Sequence, residues 1–540
     1  MTHLRSFLVL VCTFLALLSI CAAADQPPSS QASQLPKDIQ AIFNKPLYKG
    51  ATWGLRVIDA DGKVLIDYNS QQPFFIGSVR KVFSVGALLN QVGPAHTYDT
   101  PVYRTGTVDG AGVLHGNLVL VASGDLTMGG RTNPDGTIAI SGYDHNEADS
   151  LGNAVLTEPD PLAGYAELAR QVAAAGIKKV DGDVIIDDRL FQAFDFRGQF
   201  DVKPIFVNDD VVDVTINPTA PRSAASVSWR PRSAALGVDS TLVTSPAHSQ
   251  YSLQMKPQLP QCIGTAGCTA AITGDLPADF APPLTNKFPL VQTFRIVNPT
   301  NYARTVFMEK LHAAGIAMGS NAVGQNAASK LPAKGSYQPN AMVAQLKGMP
   351  YAQDAKFILK VSYNIGADTS LVLWGLTQHV DNMKAALAVE PKNLTANYGV
   401  PAGQFTFVDG SGGGPTTATN VAVTQMLWAL ERRPTSAIFR DALPVLGVDG
   451  SLGFVKDFES DPTLAGAKGQ VHAKTGTYAQ GSAKGIIIKG QAFGGYIETK
   501  SGKHLIYQLV VNDFPISQLD QLLQVFQDEG TISAMLWRDN

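Results

Sequence analysis

The chain has 540 residues, 45% of them hydrophobic and 16% charged, with a net charge of −3. That length exceeds one ordinary core and suggests about two to four domains. The balance excludes a disordered chain and lacks the basic footprint of a nucleic-acid binder. Fifty Gly and 32 Pro imply many turns and short strands.

In chain order, Arg5, the apolar run Phe7 to Ile20 and the small residues Ala22-Ala23-Ala24 read as a secretory signal over residues 1–24, cut before Asp25. The run is too short to span a membrane comfortably. A lipoprotein held through Cys21 and an uncleaved anchor are the alternatives; the bulky Ile20 argues against the first. Residues 25–37, with Pro27-Pro28-Ser29-Ser30, form a flexible polar leader. Residues 52–68 alternate around Asp61-Gly62 and predict a hairpin. Asp59-Ala60-Asp61-Gly62 lacks the downstream acid that closes a calcium loop. A helix is expected from about Ser78 to Val92, apolar on almost every side and therefore buried, and ended by Gly93-Pro94. Arg80 in its first turn is expected to reach solvent.

From residue 105 to 291 the pattern changes to short strands with glycine turns, such as 117–122, 183–186 and 226–229, with one helix at 162–175. This predicts an inserted, mostly-β unit at 105–291 between two parts of another domain, 38–104 and 292–540. Cys262 and Cys268 are the only cysteines beyond the signal, and an exported compartment predicts a disulfide between them. Asp144 to Asp149 reads as a solvated loop rather than a metal site. Residues 300–314, 341–346, 367–377 and 421–430 carry helical pattern, whereas 357–361 reads as a strand. Residues 471–477, 492–498 and 504–512 read as neighbouring strands. Leu519, Leu522, Leu523 and Phe526 place a helix at the end.

Three motifs carry chemistry. Ser78-Val79-Arg80-Lys81 sets a hydroxyl and an amine on one face of a buried helix, where Lys81 can act as a base toward Ser78. The plainer reading makes Ser78 a cap and Lys81 a snorkelling side chain. Ser362-Tyr363-Asn364 offers a proton-relaying hydroxyl and an amide, or merely a polar turn before a helix. Lys474-Thr475-Gly476-Thr477 lies in a strand, with Lys474 and Gly476 on one face and Thr475 and Thr477 on the other. Lys474 can hold a carboxylate, and Gly476 leaves room for a peptide along the strand; alone, the tripeptide reads as an exposed strand. A second Lys-Ser-Gly, Lys500 to Gly502, reads as a hairpin turn.

With these three in this order the chain resembles the penicillin-binding protein 4 family of D-alanyl-D-alanine carboxypeptidase/endopeptidases (peptidase family S13, class C). Leu118 to Thr127 is similar to the family's Gly-Asp-Pro-Thr turn, Gly182 to Phe191 to its Asp-Asp-x-x-Phe segment, and Asp409-Gly410-Ser411-Gly412 to its Asp-Gly-Ser-Gly loop; Asp449-Gly450-Ser451-Leu452 precedes the lysine strand as in the family. Departures are Leu126 for proline, Gly413-Gly414-Pro415 for Leu-Ser, Tyr363 inside the second motif, and an additional stretch, 482–491. The resemblance implies an α/β serine β-lactamase/transpeptidase-like domain, a central antiparallel sheet flanked by helices, split by the insertion. It implies a periplasmic serine DD-peptidase acting on peptidoglycan stem peptides and inhibited by β-lactams. No metal, cofactor or nucleic acid is called for, and a peripheral membrane contact or a homodimer stays open. By the resemblance Ser78 attacks, Lys81 is the base, Ser362 relays the proton, Asn364 binds an amide, and Lys474 with Thr475 or Thr477 holds the terminal carboxylate. The backbone N–H groups of Ser78 and Thr477 form the oxyanion hole. A β-lactamase and a non-catalytic peptidoglycan-binding or sensor protein are the alternatives.

Overall fold

The computed structural model describes residues 35–147, 152–482 and 485–540. The signal, its cleavage site, Cys21, the leader up to residue 34 and Asp149 lie outside the described residues. Lys37, expected to close the leader, instead opens a helix, Lys37–Phe43, whose Ile39, Ile42 and Phe43 are buried.

One antiparallel sheet runs in the order Val64–Tyr68, Thr52–Asp59, His504–Asn512, Gly485–Glu498, Val471–Ser482, with Phe514–Ile516 added beside Gly485–Glu498. Its central strands are apolar on both faces, so both must be covered. Along His504–Asn512, Ile506 and Val510 join the core with the helix Lys81–Val92. Leu505, Tyr507, Leu509 and Val511 join the opposite core, beneath Leu519–Asp539 and Lys37–Phe43. Helix Lys81–Val92 packs against Tyr351–Val361, Asn364–Thr377 and Asn420–Glu431. That all-round contact explains a helix with no polar face.

Between the two parts of this domain lies a second core. Its main sheet runs Ala317–Met318, Lys179–Val180, Val113–Val121, Thr100–Val108, Met342–Leu346, with Val184–Asp187 also paired to Val113–Val121. Helices Ala163–Ala174 and Pro299–Ala313 pack together in this core. Small three-stranded sheets complete the unit, and Cys262 is bonded to Cys268 as expected. The sequence returned to the first domain at residue 292, but the sheet pairing carries the inserted unit's strands on to Leu346.

Two local expectations fail. Residues 341–346 are the strand Met342–Leu346, with Ala344 and Leu346 buried on alternate positions. Residues 357–361 end the helix Tyr351–Val361, whose Tyr351, Asp354, Ala355, Ile358 and Leu359 recur at helical spacing. Both windows are about five residues long, too short for period 2 and period 3.6 to be told apart. The stretch 482–491 does not separate the lysine strand from its neighbour: the two strands continue outward as one long hairpin. Among the described residues no helix is long and apolar enough to cross a membrane.

Candidate active site

Ser78 sits in a short turn, Gly77–Arg80, that leads into the helix Lys81–Val92. Lys81, the first helical residue, is fully buried. Its Nζ is 2.7 Å from Ser78 Oγ, 3.3 Å from Ser362 Oγ, 2.7 Å from Asn364 Oδ1 and 3.0 Å from the carbonyl oxygen of Ser411. Ser362 ends the helix Tyr351–Val361 in the left-handed region, at φ 65° and ψ 35°. A serine rarely occupies that region, and such strain collects at functional sites. The twist lets Asn364 begin the next helix while the Ser362 hydroxyl faces two lysines. Lys474, also fully buried, places Nζ 3.0 Å from Ser362 Oγ and 2.8 Å from the carbonyl oxygen of Thr475. The five side chains expected to act together are thus within hydrogen-bond reach of one another, through Ser362 as the link.

Two glycines set the spacing. A Cβ on Gly476 would lie 2.0 Å from the Ile76 carbonyl oxygen and 3.0 Å from Ser78 N. The space read in the sequence as room for a peptide is filled by the nucleophile turn itself, because Gly476 shares the face of Lys474. Gly412, at φ 99°, is equally tight: its Cβ would meet the Gly77 carbonyl oxygen at 2.0 Å. Thr475 and Thr477 face the other way. Thr475 Oγ1 is 2.6 Å from Ser451 Oγ, and Thr477 Oγ1 donates to Gln491 Oε1 at 2.6 Å. Ser78, Ser362, Asn364, Ser451, Thr475 and Thr477 line one cleft of about 270 Å³, walled by Phe454, Leu522 and Phe526.

A family model for the D-Ala-D-Ala carboxypeptidase 3 (S13) family matches residues 35–526. The chain belongs to this family. It is an S13 enzyme, a serine D-Ala-D-Ala carboxypeptidase, and the family acts on cell-wall peptidoglycan. A D-alanyl-D-alanine carboxypeptidase of Actinomadura sp. (strain R39) is 24% identical over 508 residues, covering 88% of this chain and 82% of the relative. Penicillin binding protein 4 of Haemophilus influenzae has the same fold at a TM-score of 0.68 and 16% identity, covering 93% of this chain and 99% of that one. A second structure of that protein, complexed with a β-lactam, matches at 0.66 and 18% identity, with the same coverage.

Around this cleft lie residues to which the sequence assigned no role, although the Asp409-Gly410-Ser411-Gly412 loop stood out there as a motif. The Asp409 loop cradles Lys81: Asp409 accepts the N–H groups of Ser411, Gly412 and Gly413, and so turns the Ser411 carbonyl inward. Asp368 accepts the N–H of Gly410 at 2.9 Å. Burial, with Asp409 nearby, pushes the Asp368 carboxyl up to about 7. Arg80 does not reach solvent. It is fully buried, donates to the Asp409 carbonyl at 2.9 Å and to Glu390 at 2.7 Å, and stacks 4.0 Å over Phe407. Arg197, from the inserted unit, donates to Ser411 Oγ at 3.1 Å.

The segment read as a solvated loop is also buried at Asp144 and His145. Arg131 donates to both Asp144 oxygens at 2.7 and 2.9 Å and to Asp209 at 2.8 Å. His145 bridges Asp213 and Asp209, each at 2.7 Å. Burial opposes a charge on His145, but Asp213 and Asp209 outweigh it and raise the imidazole to about 10. Asp144, His145 and Asp209 are close enough together to ligate one ion. The Arg131 guanidinium already touches all three, which disfavours a second cation there.

Proposed function

We propose that Ser78 is the acylated nucleophile of this DD-peptidase and that Lys81 takes its proton. The contact between Lys81 Nζ and Ser78 Oγ, 2.7 Å, carries this reading. Asn364 Oδ1 and the Ser411 carbonyl can only accept, so they occupy two N–H groups of the amine. A neutral Lys81 then directs its lone pair at the Ser78 hydroxyl, the orientation a general base requires.

Attack on the penultimate D-Ala carbonyl forms a tetrahedral oxyanion. The N–H groups of Ser78 and Thr477 stabilise it, a contribution of about 3–4 kcal/mol per donor in comparable sites. Support comes from the packing of Gly77 on Thr477 N, where an added Cβ would approach to 2.7 Å. Ser362, between Lys81 and Lys474, passes the proton to the leaving amine. Lys474 and Thr475, with Ser451 beside it, hold the terminal carboxylate, and Asn364 holds an amide of the acyl chain. Water then releases the enzyme.

The same chemistry cleaves DD-cross-links as well as free termini, so endopeptidase action belongs to this reading. β-Lactams acylate Ser78. The protein reaches the periplasm through residues 1–24, removed before Asp25. The test is D-Ala release from a disaccharide pentapeptide by wild type and Ser78→Ala. Wild type releases D-Ala and the variant does not; equal release overturns the assignment. A β-lactamase shares Ser78 but frees hydrolysed antibiotic rapidly, which separates the second reading.

A further inference from the structure

Behind the Thr477 side chain runs a row of buried polar groups. Thr477 and Gln491 stand directly opposite each other in the ladder of Val471–Ser482 and Gly485–Glu498, so their side chains share one face. Thr477 Oγ1 donates to Gln491 Oε1 at 2.6 Å, and Gln491 Nε2 donates to Glu529 Oε2 at 3.2 Å. Gln491 and Glu529 are both fully buried. Glu529 belongs to the helix Leu519–Asp539, on the same face as Leu522 and Phe526, which wall the cleft.

The far end of the row sets its direction. Glu529 accepts, so the Gln491 amide turns its carbonyl toward Thr477, and the Thr477 hydroxyl spends its proton there rather than in the cleft. The terminal carboxylate is then left to Lys474 and Thr475. Burial, with Asp528 beside it, raises the Glu529 carboxyl well above the usual carboxylate range, so no negative charge opposes the oxyanion from beneath the strand. Val471–Ser482 is the edge strand of its sheet, and at Thr477 the backbone is laddered on one side only. A side-chain tether at this residue therefore adds a restraint that the ladder does not supply.

We propose that Gln491 and Glu529 are positioning residues for acylation, which fix the Thr477 side chain and, through it, the Thr477 N–H that receives the oxyanion. The inference rests on the reading above, in which that N–H is one of the two oxyanion donors. A donor already held in place costs no reorganisation when charge develops. Loosening it slows acylation and leaves the first, non-covalent complex unaltered.

Stopped-flow acylation by a fluorescent penicillin separates the two steps, giving the dissociation constant of the first complex and the acylation rate at saturation. Gln491→Leu and Glu529→Leu should lower the saturated rate about tenfold and leave the dissociation constant within about twofold. Glu529→Gln keeps an acceptor for Gln491 Nε2 and should acylate at the wild-type rate. Thr477→Val should match Gln491→Leu, Thr477→Ser should match wild type, and Thr477→Val combined with Gln491→Leu should be no slower than either alone. A Gln491→Leu protein that loses thermal stability but acylates at the wild-type rate overturns the proposal, as does a Glu529→Gln protein as slow as Glu529→Leu. If neither leucine variant folds, Thr477→Val decides: a wild-type rate, or a loss carried by the dissociation constant, overturns it. A wild type that penicillin does not label overturns the oxyanion reading itself, a result distinct from all of these.

Discussion

Two buried ionic clusters lie near one another in this molecule, and they are built to opposite rules. In the inserted unit, Arg131 and His145 are closed in by Asp144, Asp209 and Asp213 at 2.7–2.9 Å. Every charge there has an opposite partner. Asp144 and Asp209 are held below the usual carboxylate range even though burial pushes the other way, because Arg131 and His145 outweigh it. Under Ser78, by contrast, Lys81 is met by two hydroxyls, an amide oxygen and a main-chain carbonyl. Asp368 and Glu390 are raised by burial. The first cluster holds its charges in place; the second gathers groups that can pass a proton among them, which is what catalysis needs.

The contrast predicts different failures. Lys81→Met should lower kcat/KM for D-Ala release about 10²–10⁴-fold, with the thermal midpoint little changed. Loss of stability with retained activity would place Lys81 in the wrong class. Arg131→Met should do the reverse. Taking the guanidinium from two buried carboxylates, Asp144 and Asp209, costs about 3–5 kcal/mol, seen as a lower unfolding midpoint in urea. The protein that still folds should keep its Lys81–Ser78 chemistry.

Smaller effects probe protonation. Asp368 ionises through about 7, and its negative charge disfavours a neutral amine at Lys81. Asp368→Asn should move the acid limb of the kcat/KM profile to lower pH by a fraction of a unit; an unmoved limb would uncouple the two groups. His145 is read through stability rather than activity. Its folded value of about 10 exceeds the usual 6.5. The folded state thus holds the proton more tightly, so the stabilisation is complete below about pH 6.5 and disappears as pH rises through about 10. The unfolding midpoint should fall across that window, and His145→Ala should flatten the fall.

The sequence made the Ser78, Lys81, Ser362, Asn364 and Lys474 constellation legible because each motif is local and its order is specific. The antiparallel sheet was legible through strands 471–477, 492–498 and 504–512, each long enough for its period to show. The supporting layer was not. Arg80 reads as a solvated arginine until Glu390 and the Asp409 carbonyl, far away in the chain, are placed beside it. Asp144 and His145 look like a charged loop because Asp209 and Asp213 lie more than sixty residues on. Met342–Leu346 and the end of Tyr351–Val361 failed for want of length, since five residues fit either period. The inserted unit's true reach to Leu346 depends on strand pairing that no local pattern encodes.

The most direct test is time-resolved labelling of the mature protein with a fluorescent penicillin, wild type beside Ser78→Ala. The account predicts a stable covalent label on wild type and none on the variant. Labelling of Ser78→Ala at the wild-type rate, or a wild-type label lost within seconds, would contradict it.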